Sequence, residues 1–332
     1  MPIVLAPLAG GPSTPALVAA VIEAGALGFL AGGYLEVSRF EAELNELRSR
    51  TGRPFGVNLF VPPAGPADPR VYAPYVDELR AWAELRGLPI GEPRFGDDWF
   101  GEKVRLLTDD PVPVVSFTFG MPPDDVVRRL HAVGSEVWVT VTSRDEARTA
   151  VRGGADALVV QGLEAGGHRG SFDDADPAAG DSLAGLLADL RGAGRPLVAA
   201  GGIMSGAAVA GALAAGASAA QLGTAFLLCP EAGTSEPHRR ALRQATAPTR
   251  FTRAFTGRAA RGIVNAFMEE HDAHAVSAYP EIHHVTQPIR QAARAAGDAS
   301  AINLWAGAGY ALIRELPAAE LVTTLAAEAT AR

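Results

Sequence analysis

Short apolar runs alternate with amphipathic stretches along roughly the first 225 residues of the chain. Runs typical of buried strands occupy residues 3–8, 27–31, 55–61, 112–117, 136–141, 157–160, 196–200 and 219–222. Helical periodicity occupies residues 15–24, 36–50, 76–85, 98–107, 123–133, 143–152, 181–191 and 205–215. This alternation is typical of repeated βα units around a parallel sheet.

Eight consecutive βα units predict a (β/α)8 TIM barrel within the α/β class. An open doubly wound sheet remains an alternative, because the order of strands cannot be read from one sequence. The helix starts fit the prediction locally. Ser143 precedes Glu146 by three positions, a capping-box pattern that satisfies free N–H groups at a helix start.

The alternation stops after Cys229. Beyond it the pattern predicts helices at 236–245, 263–271, 288–296, 302–313 and 317–331 and a strand at 250–255, with no clear period over 273–287. We therefore expect residues 1–229 to form the barrel and residues 230–299 to form a smaller, mostly helical domain. This domain would cover the C-terminal face of the barrel as a substrate lid, and the last helices, at about 300–332, are candidates to pack back on the barrel.

Composition narrows the class of protein. The formal net charge of -8 and the absence of a basic block argue against nucleic acids and anionic membranes as partners. The single Cys229 excludes an intramolecular disulfide and a cysteine-based metal site. His271 and His274, with His283 and His284, lack an H-E-x-x-H helix, so we predict no metal site. No signal peptide or membrane-length apolar segment is recognisable, which predicts a cytoplasmic protein.

Glycine clusters follow the seventh and eighth predicted strands, the usual phosphate position in this architecture. Gly201 and Gly202 would let the backbone approach an anion, and Ser205 would open a helix whose positive end faces it. Gly223 and Thr224 add N–H donors and a hydroxyl. A single glycine cluster indicates only a tight turn, but two at adjacent strand ends predict a phosphate site.

Polar side chains mark other strand ends. Asn58 and Gln161 end apolar strands and either bridge neighbouring loops or contact the edge of a flavin ring. His168 lies among Gly166, Gly167 and Gly170, which leave the backbone room beside a planar cofactor. A neutral imidazole titrates near working pH, so His168 is the candidate general base.

Arg258 and Arg261, in the run T-G-R-A-A-R-G-I-V-N, have two possible uses. They would either clamp an anionic substrate or form ion pairs that hold the small domain to the barrel.

These motifs, in this order, resemble one family, the nitronate monooxygenases (formerly 2-nitropropane dioxygenases), and in particular their bacterial class I group. The most specific are E-A-G-G-H-R-G, V-N-L-F, A-G-G-I, Q-L-G-T and G-R-A-A-R-G-I-V-N. The resemblance extends from A-P-L-A-G-G near residue 6 to L-W-A-G-A-G-Y near residue 310.

The resemblance implies non-covalent FMN in the barrel, with His168 at the position of the family's catalytic histidine. It also implies that Pro7 and Leu8 lie against the isoalloxazine ring. Further flavin contacts are implied at Asn58, Gln161, Gly166, Gly202, Gln221, Leu222, Gly223 and Thr224.

The implied activity is the oxidation of alkyl nitronates, such as propionate 3-nitronate, by O2 to a carbonyl compound and nitrite. Some relatives also accept the neutral nitroalkane, from which the histidine removes the α-proton. We expect a monomer or homodimer. An NAD(P)H-dependent flavin reductase acting on quinones or enoyl thioesters is the alternative, followed by a flavin-binding protein without turnover.

Three positions depart from the family pattern. Leu8 stands where the family often has Met, Thr118 where some relatives have a second histidine, and Ala308 where Gln is common. These positions bear on substrate range and rate.

Overall fold

The fold is built around eight parallel strands that close into a barrel. The computed structural model describes residues 1–174 and 180–331. Its strands are β1 (Ile3–Leu5), β2 (Leu27–Ala31), β3 (Gly56–Phe60), β4 (Val114–Thr118), β5 (Glu136–Val141), β6 (Ala157–Gln161), β7 (Gly167–His168), β8 (Leu197–Ala200), β9 (Ala219–Leu222), β10 (Thr249–Thr252) and β11 (Ala260–Ile263). The closed barrel has the order β1-β2-β3-β4-β5-β6-β8-β9. The predicted (β/α)8 barrel is confirmed, and an open sheet is excluded.

Helices surround this barrel and continue beyond it. They are α1 (Pro15–Glu23), α2 (Val37–Arg50), α3 (Pro69–Leu85), α4 (Phe100–Asp109), α5 (Asp124–Ala132), α6 (Arg144–Arg152), α7 (Leu183–Leu190), α8 (Gly206–Ala214), α9 (Glu236–Gln244), α10 (Ala266–His271), α11 (Glu281–Ala295) and α12 (Ala318–Thr330). The barrel strands are apolar almost throughout because helices cover the sheet outside and side chains fill it inside. Their carboxyl ends therefore carry the polar residues of the site.

Side-chain caps fix several of the barrel helices. The hydroxyl of Ser143 accepts a hydrogen bond from the Glu146 N–H at 3.2 Å, as the capping-box pattern predicts. At the end of the chain, α12 packs against α1 and α8 and buries Leu321, Val322 and Leu325 in the barrel core. The C-terminal element is thus part of the barrel's helical layer.

A second apolar cluster lies beside the barrel core. It contains Phe255, Phe267 and Ile289 from the region after Cys229, together with Tyr75 and Leu79 of α3. The long segment between β3 and β4 thus packs with the region that follows the barrel. The division at residues 229 and 299 remains a prediction.

A three-stranded sheet with the order β10-β11-β7 links the two regions. The sequence pattern does not predict β7, which has two residues and pairs antiparallel with β11 at His168 and Ala260. Its pairing residues are distant in the chain, so no local period marks them.

Three predictions after the barrel are wrong. The helix predicted at 263–271 begins only at Ala266, because residues 260–263 form β11. Helix α11 begins at Glu281 and contains Pro288, which was predicted to start it. Residues 302–313 are not an α-helix: they run in an irregular path with one short 3-10 turn at Tyr310–Leu312.

No helix within residues 1–174 and 180–331 is long and apolar enough to cross a membrane.

Candidate active site

A cavity of about 590 Å³ opens at the carboxyl ends of the barrel strands. This volume is in the range of pockets for small molecules and cofactors. Apart from Ser205, the residues that the sequence marks as cofactor contacts or as the base line it. They are Pro7, Leu8, Asn58, Gln161, Gly166, His168, Gly201, Gly202, Gln221, Leu222, Gly223 and Thr224.

The turns after β8 and β9 form an anion cradle from backbone. Gly201 and Gly202 have φ of +122° and +67°, the region that favours glycine. A side chain at Gly202 would also place its Cβ 2.9 Å from the Cβ of Glu164. In the described part of the chain, the N–H groups of Gly202, Ile203, Gly223 and Thr224 donate to no protein acceptor.

The sequence also predicts that the start of α8 faces the anion, but N–H groups at this helix start already donate to protein acceptors. Ser205 does not line the cavity, and its hydroxyl caps α8 by accepting from the Ala208 N–H. The N–H of Gly206 donates to Glu328 at 2.9 Å. The positive end of α8 is therefore neutralised by a carboxylate of α12, so the cradle consists of the two glycine turns alone.

The amide of Gln161 holds the loop that carries His168. Its Nε2 donates to the carbonyl oxygen of His168 at 3.1 Å, and its Oε1 accepts from the Gly170 N–H at 2.8 Å. Asn58 is engaged similarly on the opposite wall, where its Nδ2 donates to Ser116 Oγ at 2.9 Å and Thr118 Oγ1 at 3.1 Å. Both amides line the cavity while bridging neighbouring elements.

His168 reaches the cavity from β7. Its Nε2 lies 2.9 Å from Thr256 Oγ1, and that hydroxyl donates to the carbonyl oxygen of Arg258 at 3.1 Å. With its only proton directed to Arg258, the hydroxyl accepts from the imidazole, so Nε2 carries the ring proton. Nδ1 is then the basic nitrogen.

The surroundings of His168 are apolar and cationic. Its ring makes edge or tilted contacts with Phe119, Tyr279 and Trp305. Burial, followed by the charges of Arg258 and Arg290, lowers the pKa of His168 to about 3. The expectation of titration near working pH is therefore wrong for this state of the site, because His168 stays neutral throughout the neutral range.

Close backbone packing closes one side of the site. A Cβ at Gly166 would meet the Gly307 nitrogen at 2.4 Å. The Gly307 N–H donates to Thr224 Oγ1 at 3.0 Å, and the Ala308 N–H to the Glu164 carbonyl at 2.9 Å. The backbone of the L-W-A-G-A-G-Y motif, at Gly307 and Ala308, thus packs against the loop that carries His168 and holds it in place. Of the three departures from the family pattern, Leu8 and Thr118 line the cavity and Ala308 does not.

Arg258 and Arg261 fit neither use predicted for them. Arg258 donates to the Ser171 carbonyl and lies with its guanidinium carbon 4.1 Å from the ring centre of Phe119. Arg261 donates to the Leu163 carbonyl at 2.9 Å. Neither lines the cavity, and neither forms an ion pair within the described residues. Both instead hold loop backbone.

The sequence analysis missed the wall formed by α11. His283, Arg290 and Arg294 of this helix line the cavity, and the His283 ring stacks on Tyr34 at 4.3 Å between ring centres. A helix read from residue 281 would have placed these side chains on one face. The sequence pattern placed the start of a helix at Pro288, so the helical period of residues 281–287 was not recognised. The described histidines form no metal-binding group with cysteines or acids.

Fold and site together define a cofactor-binding barrel enzyme: the glycine turns can hold a phosphate, and the buried histidine faces the same cavity. The family model for nitronate monooxygenase matches residues 1–328. The chain therefore belongs to the nitronate monooxygenase family, whose members are oxidoreductases.

Individual relatives are similar over nearly their whole length. A nitronate monooxygenase of Pseudomonas aeruginosa is 42% identical, over 98% of this chain and 95% of the relative. A probable nitronate monooxygenase of Bacillus subtilis is 36% identical over the same shares. The solved structure of nitroalkane oxidase from Streptomyces ansochromogenes matches with a TM-score of 0.96 and 51% identity, over 99% of this chain and 95% of that chain. FabK from Thermotoga maritima matches with a TM-score of 0.76 and 27% identity, over 99% and 92%.

Proposed function

We propose that this chain is an FMN-dependent enzyme that oxidises alkyl nitronates with O2 to a carbonyl compound and nitrite. His168 is the general base when the substrate is a neutral nitroalkane. The observation that carries the proposal is the basic Nδ1 of His168, in the same cavity as the two glycine turns with free N–H groups. Membership of the family supports the reaction class.

The residues present fit FMN. The N–H groups of Gly202, Ile203, Gly223 and Thr224 would hold its phosphate, and the loop of Pro7 and Leu8 would support its ring. When bound, FMN would supply one-electron oxidation of the nitronate and transfer of that electron to O2.

His168 supplies the proton transfer that a neutral nitroalkane requires. Its low pKa leaves the imidazole unprotonated at neutral pH, with Nδ1 free to take the proton from the α-carbon. The transfer creates an imidazolium beside a nitronate anion, and opposite charges stabilise each other strongly in a buried site.

The test is the variant His168→Asn with two substrates, nitroethane and its preformed nitronate. Without the base, nitroethane turnover should fall by about 10² or more. Turnover of the preformed nitronate should fall far less, because that substrate has already lost the proton, and the protein should stay yellow. Steady-state O2 uptake measures both.

His131→Asn is the matched control, since His131 is exposed on α5. Unchanged nitroethane turnover in His168→Asn would refute the assignment of the base. Rapid anaerobic bleaching of the flavin by NADH would favour the flavin reductase. Bound flavin without O2 uptake on any nitronate would favour a binding protein.

A further inference from the structure

The cavity holds more positive than negative charge. Among the described residues that line it, three are arginines, Arg39, Arg290 and Arg294, and Glu43 is the one carboxylate. Arg39 and Glu43 form an ion pair of 2.9 Å with each other. Two cations on α11 are thus left without a carboxylate.

Arg290 is almost fully buried, yet it bonds only to neutral groups. Its Nη2 donates to the His283 carbonyl at 2.9 Å and its Nε to Thr286 Oγ1 at 3.2 Å. Its Nη1 makes no hydrogen bond to residues 1–174 or 180–331. Burial, followed by the neighbouring charge of Arg294, lowers the pKa of Arg290 to about 9. A buried arginine is rare without an anionic partner, so the partner is expected to be a ligand.

Arg294 lies one helical turn further along the same face of α11. It is partly buried, and its Nη2 donates to the amide oxygen of Asn303 at 2.9 Å. The other nitrogens of its guanidinium have no acceptor within the described residues. Residues four apart on a helix present neighbouring side chains, so the two guanidinium groups can bind the same anionic group.

Thr234, just before α9, and His238 of α9 contribute further free polar groups to the cavity. Burial lowers the pKa of His238, and His238 lies close enough to Arg294 for that charge to lower its pKa further. Thr234 and His238 are 7% and 8% exposed, and both line the cavity. Thr234 Oγ1 and His238 Nε2 are buried with no hydrogen-bond partner in the described chain. Unmet donors and acceptors of this kind indicate a polar ligand group.

We propose that Arg290 and Arg294, with Thr234 and His238, form a second anion subsite that binds a carboxylate at the far end of the substrate from its nitro group. The subsite is formed by α11 and by residues at and just before the start of α9, whereas the phosphate cradle is formed by the glycine turns after β8 and β9. This proposal rests on the proposed function and names the residues that select a charged nitronate over an uncharged one.

Binding of succinate and butyrate to the flavin-loaded protein tests the subsite without turnover. Succinate carries two planar anions at the spacing of the nitronate and carboxylate of propionate 3-nitronate, and butyrate carries one. A charge-assisted hydrogen bond at the second anion should make succinate bind about 10- to 100-fold more tightly in calorimetric titrations. Arg294→Gln should remove most of this difference, and Arg294→Lys should keep part of it.

Arg128→Gln, on an exposed face of α5, should bind both acids as the unaltered protein does. Thermal melting establishes that each variant is folded. Arg290→Gln is a second variant of the proposed subsite and should also reduce the difference between succinate and butyrate. Equal affinities for succinate and butyrate in the unaltered protein would overturn the proposal. If NADPH displaces succinate from the unaltered protein, the subsite binds a nucleotide phosphate, and the proposal of a carboxylate subsite is overturned as well.

Turnover gives an independent measurement with propionate 3-nitronate and propyl-1-nitronate. Arg294→Gln should lower kcat/KM for the charged nitronate about 10- to 100-fold more than for the uncharged one, mainly through KM. Equal losses for both substrates would contradict selection by charge. If the unaltered protein oxidises neither nitronate, the proposed function fails, while the comparison of succinate with butyrate still decides the subsite.

Discussion

One hydroxyl group sets the tautomer of the candidate base. The Thr256 hydroxyl accepts a hydrogen bond from His168 Nε2 and donates one to the Arg258 carbonyl oxygen, which leaves Nδ1 free to take a substrate proton. Thr256 is 1% exposed, so water cannot replace the hydroxyl. Thr256 is therefore a positioning residue.

Replacing Thr256 with valine should leave the Nε2–H of His168 without an acceptor. An unsatisfied buried donor costs about 1–3 kcal/mol, so the rate constant for nitroalkane oxidation should fall about 5- to 100-fold. Nitronate oxidation, which needs no base, should change less. Thr256→Ser restores the hydroxyl and should restore the rate. Equal losses on the two substrates, or no rescue by serine, would show a merely structural role.

For single residues, the sequence predicts which side chains belong to the site and at which strand ends they lie. The glycines and His168 follow predicted strands, and barrel geometry brings strand ends together, so all of them line one cavity. The tautomer of His168 depends on Thr256, and its low pKa, caused first by burial, depends in part on Arg258 and Arg290, all of which are distant in the chain. No local pattern encodes those contacts.

Between elements, a buried ion pair fixes a strained loop over the cavity. Tyr34 has φ of +68°, and its N–H donates to Asp98 Oδ1 at 3.0 Å. Lys103 Nζ donates to Asp98 Oδ2 at 2.9 Å and to the Gly32 carbonyl at 2.8 Å. The segment that carries α4 thereby holds Tyr34 against His283. Strain of this kind persists only when neighbouring contacts enforce it.

Asp98→Asn should destabilise the protein by about 3–5 kcal/mol, because it leaves the charge of Lys103 buried without a partner. Lys103 is 1% exposed, so water cannot compensate. The double variant Asp98→Asn with Lys103→Met should lose less than the sum of the single losses. Guanidinium unfolding measures all three free energies. Asp109→Asn, exposed on α4, should change stability by less than about 0.5 kcal/mol. Additive single losses would refute the coupling.

Elements with a strong period were predictable and those without one were not. The eight barrel strands follow apolar runs, whereas β7 has two residues and exists only because β11 pairs with it. The alanines and glycines over 302–313 resemble a helix in composition, but Gly307 must pass close to Gly166 and Glu164. Tertiary contact overrides propensity there.

Buried neutral histidines make the whole molecule sensitive to acid. Burial lowers the pKa of His168 to about 3 and that of His238 to about 4, below the value of about 6.5 in an unfolded chain. As the pH falls below 6.5, the unfolded state takes up these protons first. The stability is therefore present above pH 6.5 and is lost as the pH falls toward 4.

Between pH 7 and pH 5, each of these two histidines should lower the free energy of unfolding by about 2 kcal/mol. Urea unfolding at the two pH values gives the loss. His238→Gln removes one of the two groups, so the variant should lose about 2 kcal/mol less than the unaltered protein over the same interval. An identical pH dependence would contradict the buried neutral state of His238.

Charge is distributed unevenly over the molecule as a whole. The chain has a formal net charge of -8, yet arginines outnumber carboxylates among the described residues that line its cavity. The net negative charge of the molecule repels anions at a distance, and the arginines attract them inside the cavity. The proposed selection for an anionic substrate would therefore rest on short-range contacts, which salt screens less than long-range repulsion.

The pairing of β7 with β11 has a consequence for biosynthesis. Ribosomes release a chain from its N-terminus, so both glycine turns emerge before β11 does. A nascent chain can therefore assemble its phosphate cradle while His168 still lacks Ala260 as a strand neighbour and Thr256 as a hydrogen-bond partner. Binding of the proposed cofactor can therefore precede the ordering of the candidate base, so a maturing molecule need not be reactive before the proposed cofactor is enclosed.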